Sequence, residues 1–180
     1  MKTIAGIAAA LALAGCVTGG PMTHYHVSEP YVFFSYAASR GAIPVMVVGD
    51  PYPGRRPQVE SVVADALDRN FRFLGNPFRT VPPAPGEGTK VVVIFNGPDS
   101  TIVAGACDDP TRMGSGPSGP RTTARALYCG VGPYSEYWMS FPTPASPEDP
   151  AFREHMASLI YFGIPREPEP SKRLGDSPPP

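Results

Sequence analysis

The stretch KVVVIFNG, from Lys90 to Gly97, contains an unbroken apolar run at residues 91–95. β-Branched and aromatic residues suit a pleated strand, and a run without polar interruptions is typical of a strand buried on both faces of its sheet. The Asn-Gly-Pro sequence that follows is a turn signal and ends the strand. The stretch therefore predicts a doubly buried strand, around which the remaining elements are arranged.

An amphipathic helix is predicted before this strand, in RRPQVESVVADALDRNFRFLG. Apolar residues recur there at helical spacing, and charged residues fall largely on the opposite side. Pro57 suits the first turn of the helix, and Gly75 suits its end. The apolar face consists of Val59, Val62, Val63, Ala66, Leu67 and Phe71.

A second buried strand is predicted upstream of the helix, in AIPVMVVG at residues 42–49. Because strand, helix and strand follow one another, we expect the two strands to be parallel neighbours joined by a right-handed crossover. The proline-rich stretch at residues 76–89 is interpreted as a loop.

Four further segments are predicted to be extended. YHVSEPYVFFSY, at residues 25–36, is interrupted by Pro30 and is interpreted as an edge strand or two short extended pieces. STIVAGAC predicts a strand that leads to Cys107. RTTARALYCGVG and YSEYWMSF predict the last two strands, paired around a turn at residues 130–133.

The final predicted element is a helix in SPEDPAFREHMASLIYFG. Ser146 can cap its start, and Pro147 suits the first helical position. Gly163 and Pro165 end it. Its apolar face consists of Phe152, Met156, Leu159 and Ile160.

These elements predict an α+β fold, a small mixed β-sheet with two helices packed on one face and long loops rich in proline and glycine. The chain has 25 prolines and 19 glycines in 180 residues, which is about twice the average share. We expect a single domain at residues 24–165 and a disordered, proline-rich tail at 166–180.

The first residues, MKTIAGIAAALALAGCVTGG, have the layout of a signal peptide. Lys2 is the positive start, and the apolar segment at residues 4–14 is too short to span a bilayer as a helix. The sequence LAGC at positions 13–16 resembles the lipobox of bacterial lipoproteins. Residues 1–15 are therefore expected to be a lipoprotein signal peptide. The alternative is an ordinary cleaved signal that releases a soluble periplasmic protein.

The lipobox resemblance implies that Cys16 carries a diacylglyceryl thioether and becomes the acylated amino terminus after cleavage. Two or three acyl chains hold a protein firmly at a bilayer. Val17 follows the cysteine in place of an aspartate, which implies an outer-membrane lipoprotein of the bacterial envelope that faces the periplasm. Residues 16–23 are then expected to be a short, flexible lipidated tether.

Two further cysteines, Cys107 and Cys129, are left in an oxidising compartment. A bridge between them closes a loop of about 23 residues and stabilises the fold by about 3 kcal/mol in the chain-entropy model. The alternative, a reactive or metal-binding thiol pair, calls for close spacing or a nearby histidine cluster, and the sequence shows neither. We therefore predict a structural disulfide.

The charge balance argues against nucleic acid as a partner. One of the 15 basic residues, Lys2, leaves with the signal, so the mature chain has 14 basic residues against 16 acidic ones. A small negative net charge without runs of like charge does not form a surface for a polyanion.

The histidines predict no metal site. His24 and His26 would point the same way in an extended segment, as half of a site, but no third ligand is near them in the sequence. His155 lies beside the apolar stripe of the last helix and is interpreted as a boundary residue. The sequence predicts no cofactor.

The sequence assigns no catalytic residue. Asp108 and Asp109 precede Pro110 and are interpreted as turn residues, with a weak calcium ligand or half of an acid–base couple as the alternatives. GSGPSG, around Ser115 and Ser118, does not fit the nucleophile elbow of hydrolases and is interpreted as a linker.

Aromatic residues are the remaining signal, in YVFFSY and YSEYWMSF. Aromatic residues pack well on a half-buried strand. The functional alternative is an exposed platform for a glycan, a peptide or a partner protein, with Tyr134, Tyr137 and Trp138 as candidate anchors.

The strand KVVVIFNG, the cysteine pair and the ending SPEDPAFREHMASLIYFGIP are similar to a group of proteobacterial lipoproteins and secreted proteins. That resemblance implies a shared fold and carries over no catalytic residue. The leading hypothesis is a non-enzymatic envelope lipoprotein whose domain binds or assembles with another envelope component. The alternative is a small enzyme or small-ligand-binding protein with its site in the loops around Asp108 and Asp109.

Overall fold

The structure, a computed structural model, describes residues 17–19, 23–24, 30–75, 77–98, 103–113 and 116–165. The predicted signal peptide, Cys16, His26, Ser115 and the tail at 166–180 lie outside the described residues. In the described part of the chain, no helix combines the length and the hydropathy needed to cross a membrane. The elements, in chain order, are β1 (Thr18–Gly19), β2 (Thr23–His24), α1 (Pro30–Arg40), β3 (Ile43–Val48), α2 (Arg56–Phe71), β4 (Phe78–Val81), β5 (Lys90–Phe95), α3 (Val103–Asp108), β6 (Arg121–Gly130), β7 (Gly132–Pro142) and α4 (Pro150–Gly163).

One mixed sheet contains the described strands in the order β1-β7-β6-β5-β3-β4, with β2 also paired to β7. β3 and β5 are parallel neighbours, with Val45 opposite Val91, as predicted for the crossover through α2. β5 pairs with the antiparallel β6 on its other side, and each of its residues, from Lys90 to Phe95, is buried. The doubly buried strand predicted from KVVVIFNG is therefore confirmed.

Three helices cover one face of the sheet, which we call the helix face. α2 buries the six apolar residues predicted for it, and α4 buries the four predicted for it. α1 joins them through Phe34, whose ring lies 5.0 Å from that of Phe71 and 5.3 Å from that of Tyr128. The predicted α+β class is confirmed, and α1 adds a third helix to the two expected on this face.

The opposite face, which we call the disulfide face, is covered by α3 and the short turn Pro110–Arg112. Cys107 of α3 is bonded to Cys129 of β6, with the two Cα atoms 5.6 Å apart, so the predicted disulfide is present. The buried cluster beneath α3 is small and consists of Val48, Val92, Ile94, Ala106, Cys107, Met113, Leu127 and Cys129.

Two segments predicted to be strands are helices. The segment at residues 25–36 contributes the start of α1 in place of an edge strand, because Pro30 suits the first helical turn and one helical face delivers Phe34 to the core. The segment STIVAGAC contains most of α3, since a short helix places Cys107 and Ala106 against the disulfide face. Both predictions were wrong.

Three element boundaries also differ from the prediction. β4 lies within the predicted loop at residues 76–89 and pairs in parallel with β3. α4 begins at Pro150, and the capping residue is Asp149, whose carboxylate accepts a hydrogen bond from Ala151 N at 2.9 Å, in place of Ser146. β1 lies inside the stretch predicted as a flexible tether, and β2 begins at its last residue.

Candidate partner-binding surface

The β6–β7 hairpin divides the domain into two ends. We call the end at the turn Gly130–Gly132 the tip and the end at Arg121 and Pro142 the base. α4 runs from base to tip, and near the tip the Ser135 hydroxyl donates a 2.8 Å hydrogen bond to the carbonyl of Gly163.

Large apolar side chains are exposed mainly in the tip half of the domain. They lie on α1, on the turn after α2, on the hairpin turn and at the end of α4. We call this set the aromatic surface, and it consists of Val32, Phe33, Tyr36, Phe73, Val131, Tyr161 and Phe162, each between 45% and 99% exposed. Elsewhere in the described chain, only Val17 and Trp138 belong to this exposed class.

The exposed rings of the aromatic surface rest on half-buried rings. The ring of Phe33 lies 5.5 Å from that of Tyr134, and the ring of Phe162 lies 5.2 Å from that of Tyr137. Tyr134 folds over the hairpin turn at Gly130, where a β-carbon would overlap the Tyr134 ring. The aromatic surface is therefore held in place by the core beneath it.

The predicted anchors Tyr134, Tyr137 and Trp138 do not form one platform. Tyr134 and Tyr137 are half-buried on the helix face and support the aromatic surface. Trp138 is 39% exposed and lies on the disulfide face, opposite Arg125 of the neighbouring strand. Arg125 forms a largely buried ion pair with Glu136 on that face.

Sequence reasoning missed most of the aromatic surface, because it placed YVFFSY in a strand. Read as a helix, that run surrounds its axis with apolar residues, so some of them must face outward. The end of α4 gives a similar signal. Leu159 and Ile160 reach the core, and Tyr161 and Phe162 then point away from it.

A groove of 440 Å³ adjoins the aromatic surface between the end of α1 and the start of β3. Tyr36, Arg40 and Thr89 contribute its polar groups, and the Arg40 guanidinium carbon lies 5.8 Å from the centre of the Tyr36 ring. In the core of the same half, the Tyr128 hydroxyl is fully buried, with the Thr89 side chain as its polar neighbour. Burial raises the pKa of Tyr128.

The base is held together by polar contacts. Asn96, whose φ of 50° is left-handed, donates from its side-chain amide to the Ser118 hydroxyl at 3.0 Å and accepts from Thr123 N at 2.9 Å. The Thr122 hydroxyl lies 2.7 Å from that of Ser118 and 2.9 Å from that of Thr143. Ser118, predicted to lie in a linker, therefore connects Asn96 and Thr122 at the base through its hydroxyl group.

Asp109 acts as a turn residue in this structure, whereas Asp108 is the last residue of α3. The Asp109 carboxylate accepts from Thr111 N at 3.1 Å, and the carbonyl of Asp108 accepts from Gly86 N at 3.0 Å. Lys90 donates to the Gly86 carbonyl, and burial lowers the pKa of this lysine although Asp108 opposes the shift.

The histidines and acidic residues form no metal centre in the part of the chain that the structure describes. The ring of His155 lies 4.2 Å from that of Phe141 at the edge of the core. Burial lowers the pKa of His155, and the nearby carboxylates of Glu154 and Asp149 oppose that shift. His24 is paired through its backbone with Ser135.

Comparison of the chain with models of known protein families, with curated proteins and with solved structures finds no match.

Proposed function

We propose that this protein is an envelope lipoprotein, anchored by lipid on Cys16 and facing the periplasm, whose domain binds a partner protein through the aromatic surface. The observation that carries the proposal is the clustering of seven exposed large apolar side chains in one half of the domain. Grouped exposed apolar side chains on a small domain are typical of an interaction site.

The aromatic surface has the properties of a binding hot spot. Tyr and Phe dominate it, and aromatic side chains contribute most of the binding energy in many interfaces. The half-buried rings of Tyr134 and Tyr137 already fix the exposed rings of Phe33 and Phe162. Because these two rings already pack on the domain, binding a partner through them costs less side-chain ordering.

The chemistry of the aromatic surface favours a protein over a glycan. Five of its seven side chains carry no hydrogen-bonding group, and these are Val32, Phe33, Phe73, Val131 and Phe162. A sugar presents hydroxyl groups that need polar partners, and burying them against hydrocarbon is costly. An apolar patch on a protein partner makes no such demand.

The position of Val131, at the tip end of the aromatic surface, favours a partner in the periplasm over the bilayer that holds the anchor. Cys16 precedes Thr18, which pairs with Ser140 in the base half of β7. Val131 is nine residues from Ser140 along the hairpin, which corresponds to about 30 Å at 3.4 Å per residue. The tip therefore lies about 30 Å along the hairpin from the point at which the strand after the proposed anchor joins the sheet.

Site-specific photocrosslinking in intact cells tests the partner. A photoreactive amino acid replaces Phe33 or Phe162, and the matched control replaces Arg153, an exposed residue near the other end of α4. We expect one protein adduct from both surface positions, weakened by Tyr161→Ala, and none from the control. Equal labelling at Arg153, or no protein adduct from the surface positions, contradicts the proposal. An adduct whose added mass is removed by a glycosidase and contains no peptide of a second protein would favour a glycan.

The anchor is tested separately with labelled palmitate. The wild-type chain should incorporate the label, and Cys16→Ser should not. Unchanged labelling of the Cys16→Ser variant contradicts the lipidation of Cys16, whatever the result at the aromatic surface.

A further inference from the structure

The residues that follow the proposed lipidation site belong to the sheet. Thr18 pairs with Ser140 and Gly19 with Met139, and farther along the same strand Thr23 pairs with Glu136. Both strands are antiparallel to β7, and their registers differ by one residue. β1 and β2 therefore both lie beside β7, β1 nearer the base and β2 nearer the tip.

The packing around Gly19 fits this strand to the domain. A β-carbon at Gly19 would overlap the hydroxyl of Tyr137. The ring of Tyr137 is in turn backed by that of Phe162, 5.2 Å away. Glycine at this position lets the strand approach the sheet closely, and a larger residue must displace either Tyr137 or the strand.

The distance from the proposed anchor to the sheet is short. Thr18 is two positions after Cys16, and an extended chain spans at most about 3.6 Å per residue. The lipidated residue therefore lies within about 7 Å of the first sheet pairing. A link of this length keeps the edge of the sheet at Thr18 close to the bilayer.

We infer that the anchored strand holds the domain upright, with the base against the headgroup layer of its own bilayer and the tip pointing away. This inference rests on the proposed lipidation of Cys16. Val17 is 48% exposed beside the anchor. Arg121 is exposed at the same edge, and its guanidinium donates to the Ser140 carbonyl at 2.9 Å. An apolar residue and an arginine at one edge match the headgroup layer, which presents both hydrocarbon and phosphate.

Energy transfer from tryptophan measures this orientation, because Trp138 is the single tryptophan of the chain. Lipidated protein is reconstituted in phosphatidylcholine vesicles that carry dansyl-labelled headgroups as acceptors. Two matched variants in a Trp138→Phe background place the only tryptophan elsewhere, as Val17→Trp beside the anchor or as Val131→Trp at the tip. We expect transfer to decrease in the order position 17, position 138, position 131.

Equal transfer from the three positions, or the greatest transfer from position 131, overturns the inferred orientation. Flotation of each variant with the vesicles is scored in the same samples. A protein that does not float shows that the anchor is absent, so failure of the proposed function is distinguished from failure of the orientation.

The role of the docked strand is tested with Gly19→Val, and Thr18→Val is the matched control. Both variants float if the anchor is intact. We expect Gly19→Val to reduce the difference in transfer between positions 17 and 131, because the loosened strand becomes a flexible tether, whereas Thr18→Val preserves it. An unchanged difference in a folded Gly19→Val protein contradicts the role of the docked strand. Circular dichroism of each variant in detergent establishes that it is folded.

Discussion

Removing the disulfide should destabilise the domain by about 3 kcal/mol. The structure also indicates which element should unfold first. The bridge joins residues 22 positions apart, Cys107 and Cys129. In the chain-entropy model, a loop of this size restricts the unfolded chain enough to contribute about 3 kcal/mol at 25 °C. Cys107→Ala with Cys129→Ala removes the link and leaves no buried polar atom behind.

In the variant without the disulfide, local unfolding should begin at α3. The cluster between α3 and the disulfide face has eight buried residues, whereas the cluster on the helix face has 23. α3 therefore depends on the covalent link more than α2 or α4 does. Amide hydrogen exchange should show α3 opening in the double variant under conditions in which β5 remains protected.

Urea unfolding of the oxidised wild type and of the double variant measures the magnitude. With a denaturant slope of about 2 kcal/mol per molar urea, a loss of 3 kcal/mol lowers the midpoint by about 1.5 M. The reduced wild type is the control and should unfold close to the double variant. A loss under about 1 kcal/mol would refute the chain-entropy reasoning, and free thiols at both cysteines in protein isolated from its host would show that the bridge itself is wrong.

Three further outcomes follow from single side chains. Gly163→Ala places a β-carbon 2.7 Å from that of Ala126, and this overpacking should cost about 1 to 3 kcal/mol in urea unfolding, whereas the exposed Ser158→Ala on the same helix should cost little. Burial, followed by the charge of neighbouring carboxylates, raises the pKa of Tyr52 to about 12. The stabilising contribution of Tyr52 is thus complete below pH 10 and is lost as the pH rises towards 12. The difference between the ultraviolet titration curves of the wild type and Tyr52→Phe will give the pKa of this phenol. Burial lowers the pKa of His155, so its contribution is complete above pH 6.5 and is lost as the pH falls below that value, and unfolding midpoints of His155→Gln should lack this dependence.

The elements that the sequence predicted correctly have a strong period or a strong local signal. In α2 the apolar residues repeat over several turns, and each of those predicted to be buried is buried. β5 is apolar without interruption, and it lies between two paired neighbours. The β6–β7 hairpin has glycines at its turn. In these segments local preference and tertiary packing favour the same structure.

The elements that the sequence did not predict are short or border a proline. α3 has six residues, too few to show a helical period, and its position depends on the bond between Cys107 and a strand that follows it. Pro30 is compatible both with an edge strand and with the first turn of a helix, and the core contact of Phe34 decides between them. β4 has four residues and is defined by its pairing with β3.

The candidate site was predicted only in part for a related reason. An aromatic strand predicts rings on both faces of a sheet, and a single sequence does not say which face is covered. Tyr137 and Trp138 are adjacent in the chain and point to opposite faces. The helices bury much of Tyr137, whereas Trp138 stays 39% exposed on the disulfide face. The exposed rings on α1 and α4 emerge only once these helices are placed on the sheet.

The strands β1 and β2 that follow the proposed anchor also cover the edge of the sheet at β7. Without β1 and β2, the strand β7 would be a long sheet edge with free backbone groups, which is a template for pairing with another chain. The pairing at Ser140, Met139, Glu136 and Ser135 occupies this edge with the protein's own amino-terminal segment. Because the same segment is proposed to carry the lipid, protection of the edge and orientation on the bilayer depend on the same backbone hydrogen bonds. A partner that binds the aromatic surface then meets a domain whose exposed edge is already paired and whose tip points towards it.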